Sequence, residues 1–216
     1  MNALGTLRIL DSIKSSNKNI KFYQASSSEM FGDNPEHPQN EDTRLMPASP
    51  YACAKVFGHG LTRNYRESYG LWACSGILFN HEGPRRGIEF VTRKVTNAAA
   101  RIKLGLGKKL RLGNIEAQRD WGFSGEYVKM MHIMLQQDEP DDFVIGTGQT
   151  HTVREFVQIV FEELELNYED HLVIDPRFYR PAEVEILVAN PAKAREKLGW
   201  NPKVNFKELA LNMVRA

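Results

Sequence analysis

SPYACAKVFGHGLTRNYRESYGLWACSGILF, residues 49–79, reads as a helix followed at once by a strand. Ser49 stands where a helix N-cap is preferred, and Pro50 takes the first helical position, where its missing N–H removes no hydrogen bond. Val56, Leu61 and Tyr65 supply apolar positions along the helix, and Gly70 is a stop signal. Leu71–Phe79 is then an apolar run of strand length, suited to cover on both faces. Such a strand belongs inside a parallel sheet flanked by helices.

The alternation continues outward. Upstream, Ala3, Leu4, Leu7, Leu10 and Ile13 predict a helix from the first residues, with only Asn2 available as a cap. Ile20–Ala25 predicts a short buried strand. Downstream, FVTRKVTNAAARIKLGLG predicts a helix and KLRLGN a short strand. Ser124 is expected to cap the helix GEYVKMMHIMLQQ, whose methionines and tyrosine read as core, and DFVIGTG predicts another strand. Thr152 with Glu155 forms a capping box ahead of VREFVQIVFEEL. After the strand LVIDP, Asn190 and Pro191 open AKAREKLG with Gly199 as its C-terminal stop, and a last helix follows Phe206. No repeat or low-complexity tract interrupts the pattern, which specifies an α/β fold with a mainly parallel sheet.

The 216 residues suffice for one large domain or two small ones. Twenty-eight basic and 27 acidic residues leave a net charge of +1, so no global field directs the chain to nucleic acid or an anionic membrane. The two cysteines, Cys53 and Cys74, fit a reducing compartment better than a disulfide framework, and no CxxC metal spacing occurs. Without a signal-peptide pattern or an apolar run of membrane-spanning length, the expected location is cytoplasmic.

Chemistry concentrates in two places. FYQASSSEMFG, residues 22–32, runs from an apolar strand into three serines and Glu29. Tyr51 and Lys55 lie four apart near the start of the following helix, on one face. An ammonium beside a phenol favours the phenolate, lowering a pKa that is ordinarily about 10 toward the range of a useful base. In an open sheet, strand C-termini and helix N-termini border the same crevice, so Ser27, Glu29, Tyr51 and Lys55 are the candidate catalytic group. Ser26 and Ser28 are read as structural. His37, His59, His132, His151 and His171 receive no role, and QQDEPDD reads as a solvated loop.

The pattern SSSE…SPYACAK resembles the active-site signature of the extended short-chain dehydrogenase/reductases, the nucleotide-sugar epimerases and dehydratases. The similarity continues through GILFNHEGPRRGIEFVTRKV, RLGNIEAQRDWGFSGEYV, DFVIGTGQTHTVREFV and RFYRPAEVEILVANPAKAREKLGWNPKV, nearly the whole chain. NHEGPRRG…FVTRK and YRPAEV are similar to the branch that dehydrates GDP-mannose. The dTDP-glucose branch typically has Asp-Glu where this chain has Ser28-Glu29. The resemblance implies that Tyr51 takes the proton of the sugar 4-hydroxyl while Lys55 lowers the Tyr51 pKa and holds the nicotinamide ribose of NADP. It implies that Ser27, at a position usually threonine, hydrogen-bonds the reacting oxygen, and that Glu29 removes the C5 proton and helps expel the C6 hydroxyl. It further implies NADP contacts from Tyr51, Lys55, His81 and Arg86. Asn80, Lys94, Arg119, Arg180 and Glu183 would hold the GDP part, and the assembly would be a homo-oligomer with the Tyr51–Tyr69 helix as a candidate face.

One family feature has no counterpart here. No GxGxxG or GxxGxxG occurs, and the glycines of GHGLTRNYRESYG and GTGQTH lie in the wrong context to serve as a phosphate loop. The expectation is therefore the C-terminal part of a Rossmann-like parallel sheet with a smaller α/β substrate-binding domain, in a chain corresponding to the later part of a longer enzyme. Residues 1–80 would belong to the cofactor domain and 81–216 mainly to nucleotide-sugar binding, with about 120–150 returning to the cofactor side. Three functions stay open: a nucleotide-sugar 4,6-dehydratase acting on GDP-mannose, a nucleotide-sugar-binding chain without turnover, and an epimerase or reductase of the same superfamily. Glu29 distinguishes a dehydratase from a reductase, since simple reduction at C4 needs no base for C5. No metal ligand set is expected.

Overall fold

The structure, a computed structural model, describes residues 2–179 and 184–216. Arg180 and Glu183 lie outside the described residues. The elements are α1 (Leu4–Ser16), β1 (Phe22–Ser27), α2 (Pro50–Tyr69), β2 (Ala73–Leu78), β3 (Asn80–Glu82), α3 (Val91–Lys103), β4 (Leu110–Leu112), β5 (Gln118–Arg119), β6 (Trp121–Phe123) and α4 (Ser124–Gln136), then β7 (Asp142–Ile145), β8 (His151–Thr152), α5 (Val153–Glu163), β9 (Leu172–Ile174), β10 (Ile186–Leu187), α6 (Ala192–Leu198) and α7 (Phe206–Val214).

The central sheet has the order β1-β2-β7 and is parallel throughout. Every residue of β2 is buried, because β1 and β7 flank it and helices cover both faces. On one face Leu10, Ile13, Tyr65 and Leu71 from the α1–α2 side pack with Ala73. On the other, Tyr127, Met130 and Met134 of α4 pack on Cys74, Leu78, Phe143 and Ile145. A bidentate pair from Arg66 to Asp142, with N–O distances of 3.0 and 2.7 Å, locks α2 to β7. A second core lies among α3, α5 and α7 around Val95, Ala99, Phe156, Val160, Leu209 and Met213. The remaining strands form the parallel pairs β3–β6, β4–β9 and β5–β10 and the antiparallel pair β5–β8. No described helix is long and apolar enough to cross a membrane.

The predicted start of α2 holds in detail: Ser49 Oγ accepts from Ala52 N at 3.1 Å, Pro50 opens the helix, and Gly70 closes it at φ +68°. The Thr152–Glu155 capping box is present, as is a second that the sequence reading missed, Asn205 with Glu208 on α7. Several boundaries differ. Helix α1 begins at Leu4 with no side-chain cap from its N-cap residue, Ala3. Ser124 is the first residue of α4 instead of its cap, because β6 runs directly into the helix and Phe123 takes the N-cap position. Most consequential, β1 spans Phe22–Ser27 instead of Ile20–Ala25, since parallel pairing extends to Ser26↔Ile77 and Ser27↔Leu78.

That extension brings Ser27 to the last strand position, where its Oγ accepts from Glu29 N at 3.3 Å and caps a single 3-10 turn, Ser28–Met30. The chain then reverses at Gly32, φ +58°, and residue 46 returns alongside through Met46 N to Met30 O at 2.9 Å. A Cβ at Gly32 would stand 1.7 Å from Met46 O, whereas one at Gly70 would meet nothing within 4 Å. Gly70→Ala is therefore expected to cost about 1 kcal/mol, the left-handed backbone penalty alone. Gly32→Ala should cost at least about 2 kcal/mol more, lowering Tm by a further 4 °C or so in thermal melts. Equal Tm values for the two variants would contradict the tight return at Gly32.

Candidate active site

Three segments converge at the C-terminal ends of β1 and β2, where an open parallel sheet forms its crevice. The turn after β1 presents Glu29, the start of α2 presents Tyr51 and Lys55, and β3, following β2, presents Asn80 and His81. Lys55 Nζ donates to Ala25 O at 2.7 Å, tying α2 to β1, and lies 5.5 Å from the Tyr51 ring centroid. Burial pushes the Lys55 pKa down. Tyr51 is 47% exposed. A second tie follows one turn on, with His59 Nδ1 and Ser26 Oγ at 3.0 Å. Ser26 is structural, as the sequence indicates, and His59, to which the sequence assigns no role, is its partner: together they brace α2 against the serine-rich strand end.

A cavity of about 230 Å³ opens beside this crevice, and Glu29, Asn80, Lys94 and Arg119 all line it. Asn80 and Arg119 are delivered by β3 and β5, with Asn80 opposite Trp121 in the parallel β3–β6 register. Lys94 comes from the first turns of α3, whose N-terminus has no side-chain cap, so orphan N–H groups add positive potential there. Lys94 Nζ sits 3.6 Å from the centroid of the Phe178 ring, and burial pushes its pKa down. Arg119 Nη1 donates to the carbonyls of Gln118 and Glu185 at 2.8 and 3.2 Å, holding the guanidinium in place. Of the four predicted catalytic residues only Glu29 lines it; Ser27, Tyr51 and Lys55 lie outside this lining.

The same cavity contains residues the sequence reading passed over: Glu82, Glu89, Phe90, Trp121 and Phe178. Glu82 is the most unusual, a carboxylate only 2% exposed. Thr92 Oγ1 donates to it at 2.6 Å, and Arg86 Nε approaches to 3.1 Å, near enough for charge attraction but not aligned as a hydrogen bond. Burial pushes the Glu82 pKa up, against the Thr92 hydrogen bond and the Arg86 charge. Its only sequence signal was its position beside Arg85 and Arg86 in NHEGPRRG. Arg86 in turn stacks 3.6 Å over Phe90.

Arg86 also borders a second cavity, about 340 Å³, with His81, Arg85, Phe123 and Ser124. His81 Nδ1 donates to Phe79 O at 2.8 Å, the ring stacks on Tyr127 at 5.0 Å, and burial pushes its pKa down. The neutral ring keeps Nε2 available to a ligand. Two arginines and no carboxylate in the lining suit an anionic group, so His81 and Arg86 fit one end of a dinucleotide. The residues that cradle the pyrophosphate in such folds, a glycine-rich turn, are not encoded in the 216 residues. Among the described residues no group of His, Cys, Asp or Glu could hold a metal ion.

Comparison with known proteins places this geometry. Residues 1–213 match a family model described as GDP-mannose 4,6 dehydratase. GDP-mannose 4,6 dehydratase 1 of Arabidopsis thaliana is 55% identical, the alignment covering 98% of this chain and 60% of the plant protein. GDP-mannose 4,6-dehydratase of Yersinia enterocolitica is 47% identical, covering 99% of this chain and 65% of that protein. Among solved structures, the Thermus thermophilus UDP-glucose 4-epimerase in complex with NAD superposes with a TM-score of 0.85 at 28% identity, over 99% of this chain and 68% of that one. The chain thus spans about 60% of the length of the curated relatives it matches.

The raised pKa of Glu82 has a measurable sign. A carboxyl whose folded pKa exceeds its unfolded value contributes stability that is complete below the unfolded pKa and is lost as pH rises through the folded one. Glu82→Gln keeps an acceptor for Thr92 and removes that titration. Thermal melts at pH 4 and pH 7 should show wild type losing Tm relative to Glu82→Gln as pH rises. A wild-type advantage that grows with pH would mean the Arg86 charge outweighs burial.

Proposed function

The chain belongs to the GDP-mannose 4,6-dehydratase family, and from that premise we propose that it carries the substrate-binding and acid–base part of an enzyme converting GDP-mannose to GDP-4-keto-6-deoxymannose and water. The observation that supports this most is the shared lining: Glu29, in the turn after β1, borders the same cavity as Asn80, Lys94 and Arg119. A diphosphate needs fixed cations, and here a forked guanidinium, a lysine and an uncapped helix N-terminus converge. Arg180 and Glu183 are assigned to the same nucleotide by the family resemblance alone.

In this reading Tyr51 accepts the proton of the sugar 4-hydroxyl, with Lys55 Nζ 5.5 Å from its ring centroid. Ser27 donates its hydroxyl hydrogen to the reacting sugar oxygen, its own acceptor side being engaged by Glu29 N. The C4 ketone acidifies C5–H, and Glu29 removes that proton as the C5–C6 double bond forms. The C6 hydroxyl leaves with the proton Glu29 supplies, as water. NADP, when bound, supplies the hydride chemistry, taking hydride from C4 and returning it at C6. Lys55, His81 and Arg86 are the residues of this chain that would hold it, and a proton added at C5 completes the product.

NADP in preference to NAD, a homo-oligomer formed through α2, and a cytoplasmic location are parts of the same proposal. Exposed Tyr51, Phe57 and Tyr69 make α2 the candidate contact face. The division into a cofactor side, residues 1–80 with about 120–150, and a nucleotide-sugar side is likewise proposed.

Incubation of the chain with GDP-mannose and NADP, followed by mass spectrometry, tests the activity: loss of one water from the nucleotide sugar is expected if the chain supplies a complete site. Absence of that product would leave the chain as a nucleotide-sugar-binding part that depends on another segment for its cofactor. In a complete enzyme, Glu29→Gln should lower product formation by about a hundredfold or more, as expected for loss of a positioned base. Undiminished turnover by that variant would refute the role of Glu29 at C5.

A further inference from the structure

Trp121 is a wall shared by two cavities. Behind it, away from the roles assigned above, lies a separate cavity of about 230 Å³, lined by Thr147, Gln149, His151, Arg195, Asn201 and Lys203 together with the start of α7. Its walls come from the β7–β8 loop, from α6 and from the segment between α6 and α7. We propose that this cavity binds a phosphate-bearing anion.

The charge distribution favours an anion. Arg195 and Lys203 both line the cavity, and no carboxylate lines it among the described residues. Neither cation forms an ion pair among the described residues. Three carboxylates neighbour it, each accepting from an N–H of a lining residue or its chain neighbour, and Glu126 Oε2 has no partner among the described residues. Glu155 accepts from Thr152 N at 2.8 Å and pairs with His151 Nδ1 at 3.2 Å. Glu208 accepts from Asn205 N at 3.0 Å, and Glu126 from Lys203 N at 2.6 Å. Arg195 is held in place by one bond, Nη2 to Thr147 O at 3.0 Å, which leaves further N–H donors for a ligand. Gly148, at φ +83°, is needed for the backbone turn that presents the Thr147 carbonyl to Arg195. The amides of Gln149 and Asn201 add neutral donors around this cation pair. A phosphate group, with several acceptor oxygens and more than one negative charge, matches that donor set better than a carboxylate or a sugar.

The cavity is also coupled to the first one. His151 stacks on Phe206 with centroids 3.8 Å apart and planes within 1°, and Phe206 stacks on Trp121 at 5.7 Å and 9°. Arg119, in the first cavity, pairs in register with His151 across β5 and β8. An anion drawing Lys203 and Arg195 inward would press on a rigid three-ring stack whose far member forms the wall of the nucleotide-sugar cavity. Trp121 is therefore the natural reporter of occupancy.

Isothermal titration of the full chain at low ionic strength, with inorganic phosphate and separately with 5′-AMP, tests the site. Wild type should bind phosphate, and the indole N–H resonance of Trp121 should move with saturation. Arg195→Ala/Lys203→Ala should weaken that binding about tenfold or more, as loss of charge-assisted contacts requires, while Lys94→Ala in the first cavity should leave it unchanged. Tighter binding of 5′-AMP with the same dependence on Arg195 and Lys203 would identify a nucleotide as the source of the phosphate, and equal affinity the free anion. The proposal is overturned if wild type binds no phosphate, if the double variant binds as tightly as wild type, or if Lys94→Ala abolishes the binding instead.

Discussion

One buried carboxylate ties the segment carrying Arg119 and Trp121 to the β7–β8 loop and to the chain after β10. Asp120 is fully buried and accepts four hydrogen bonds: Thr147 N at 2.8 Å, Thr147 Oγ1 at 2.7 Å, Gly148 N at 2.8 Å and Ala189 N at 3.2 Å. Three chain segments, separated by 27 to 69 residues, meet on its two oxygens. Burial pushes its pKa up, while these hydrogen bonds stabilise the charged form. Its neighbours in sequence, Arg119 and Trp121, both line the cavity that contains Glu29, Asn80 and Lys94. Fixing Asp120 therefore fixes where the cation and the aromatic wall stand. Gly146, just beyond β7, can approach because it has no side chain: a Cβ would meet Ala189 at 2.3 Å and Asp120 Oδ2 at 2.9 Å. Trp200 Nε1 completes the junction by donating to Gly146 O at 2.6 Å.

The parallel sheet was legible in the sequence because its signals are local. A capped helix with Pro at its first position, a glycine stop and a run of apolar residues specify α2 and β2 without knowledge of any partner. Strand ends were less legible, and for a physical reason. The register of β1 is decided by its pairing with β2, so Ser26 and Ser27 join the strand although serine is not a strand-forming residue. The two-residue strands β5, β8 and β10 carry no periodicity and exist only because their neighbours pair with them.

The candidate site divides the same way. Tyr51 and Lys55 can be placed on one helix face by spacing alone, and the family resemblance supplied Asn80, Lys94 and Arg119. Glu82 escaped notice because its burial depends on α3 folding over it, with Thr92 ten residues away as its donor. His59 was set aside as a lone histidine, yet its bond to Ser26 exists only because β1 extends two residues further than its apolar pattern indicated. Lys94 held over the Phe178 ring likewise depends on a chain crossing, where Gly113 lets the carbonyl of Phe178 approach to 2.5 Å from its vacant Cβ position. Long-range contact, not residue type, placed these side chains where they are.

Proximity of Glu29 to the nucleotide-binding residues in one cavity is the central claim. Calorimetric titration of GDP-mannose into the chain, without added cofactor, measures it directly. Saturable binding of one GDP-mannose per chain, weakened about tenfold or more by Lys94→Ala, is the predicted result. No binding, or binding indifferent to Lys94, would contradict the assignment of this cavity to the nucleotide sugar.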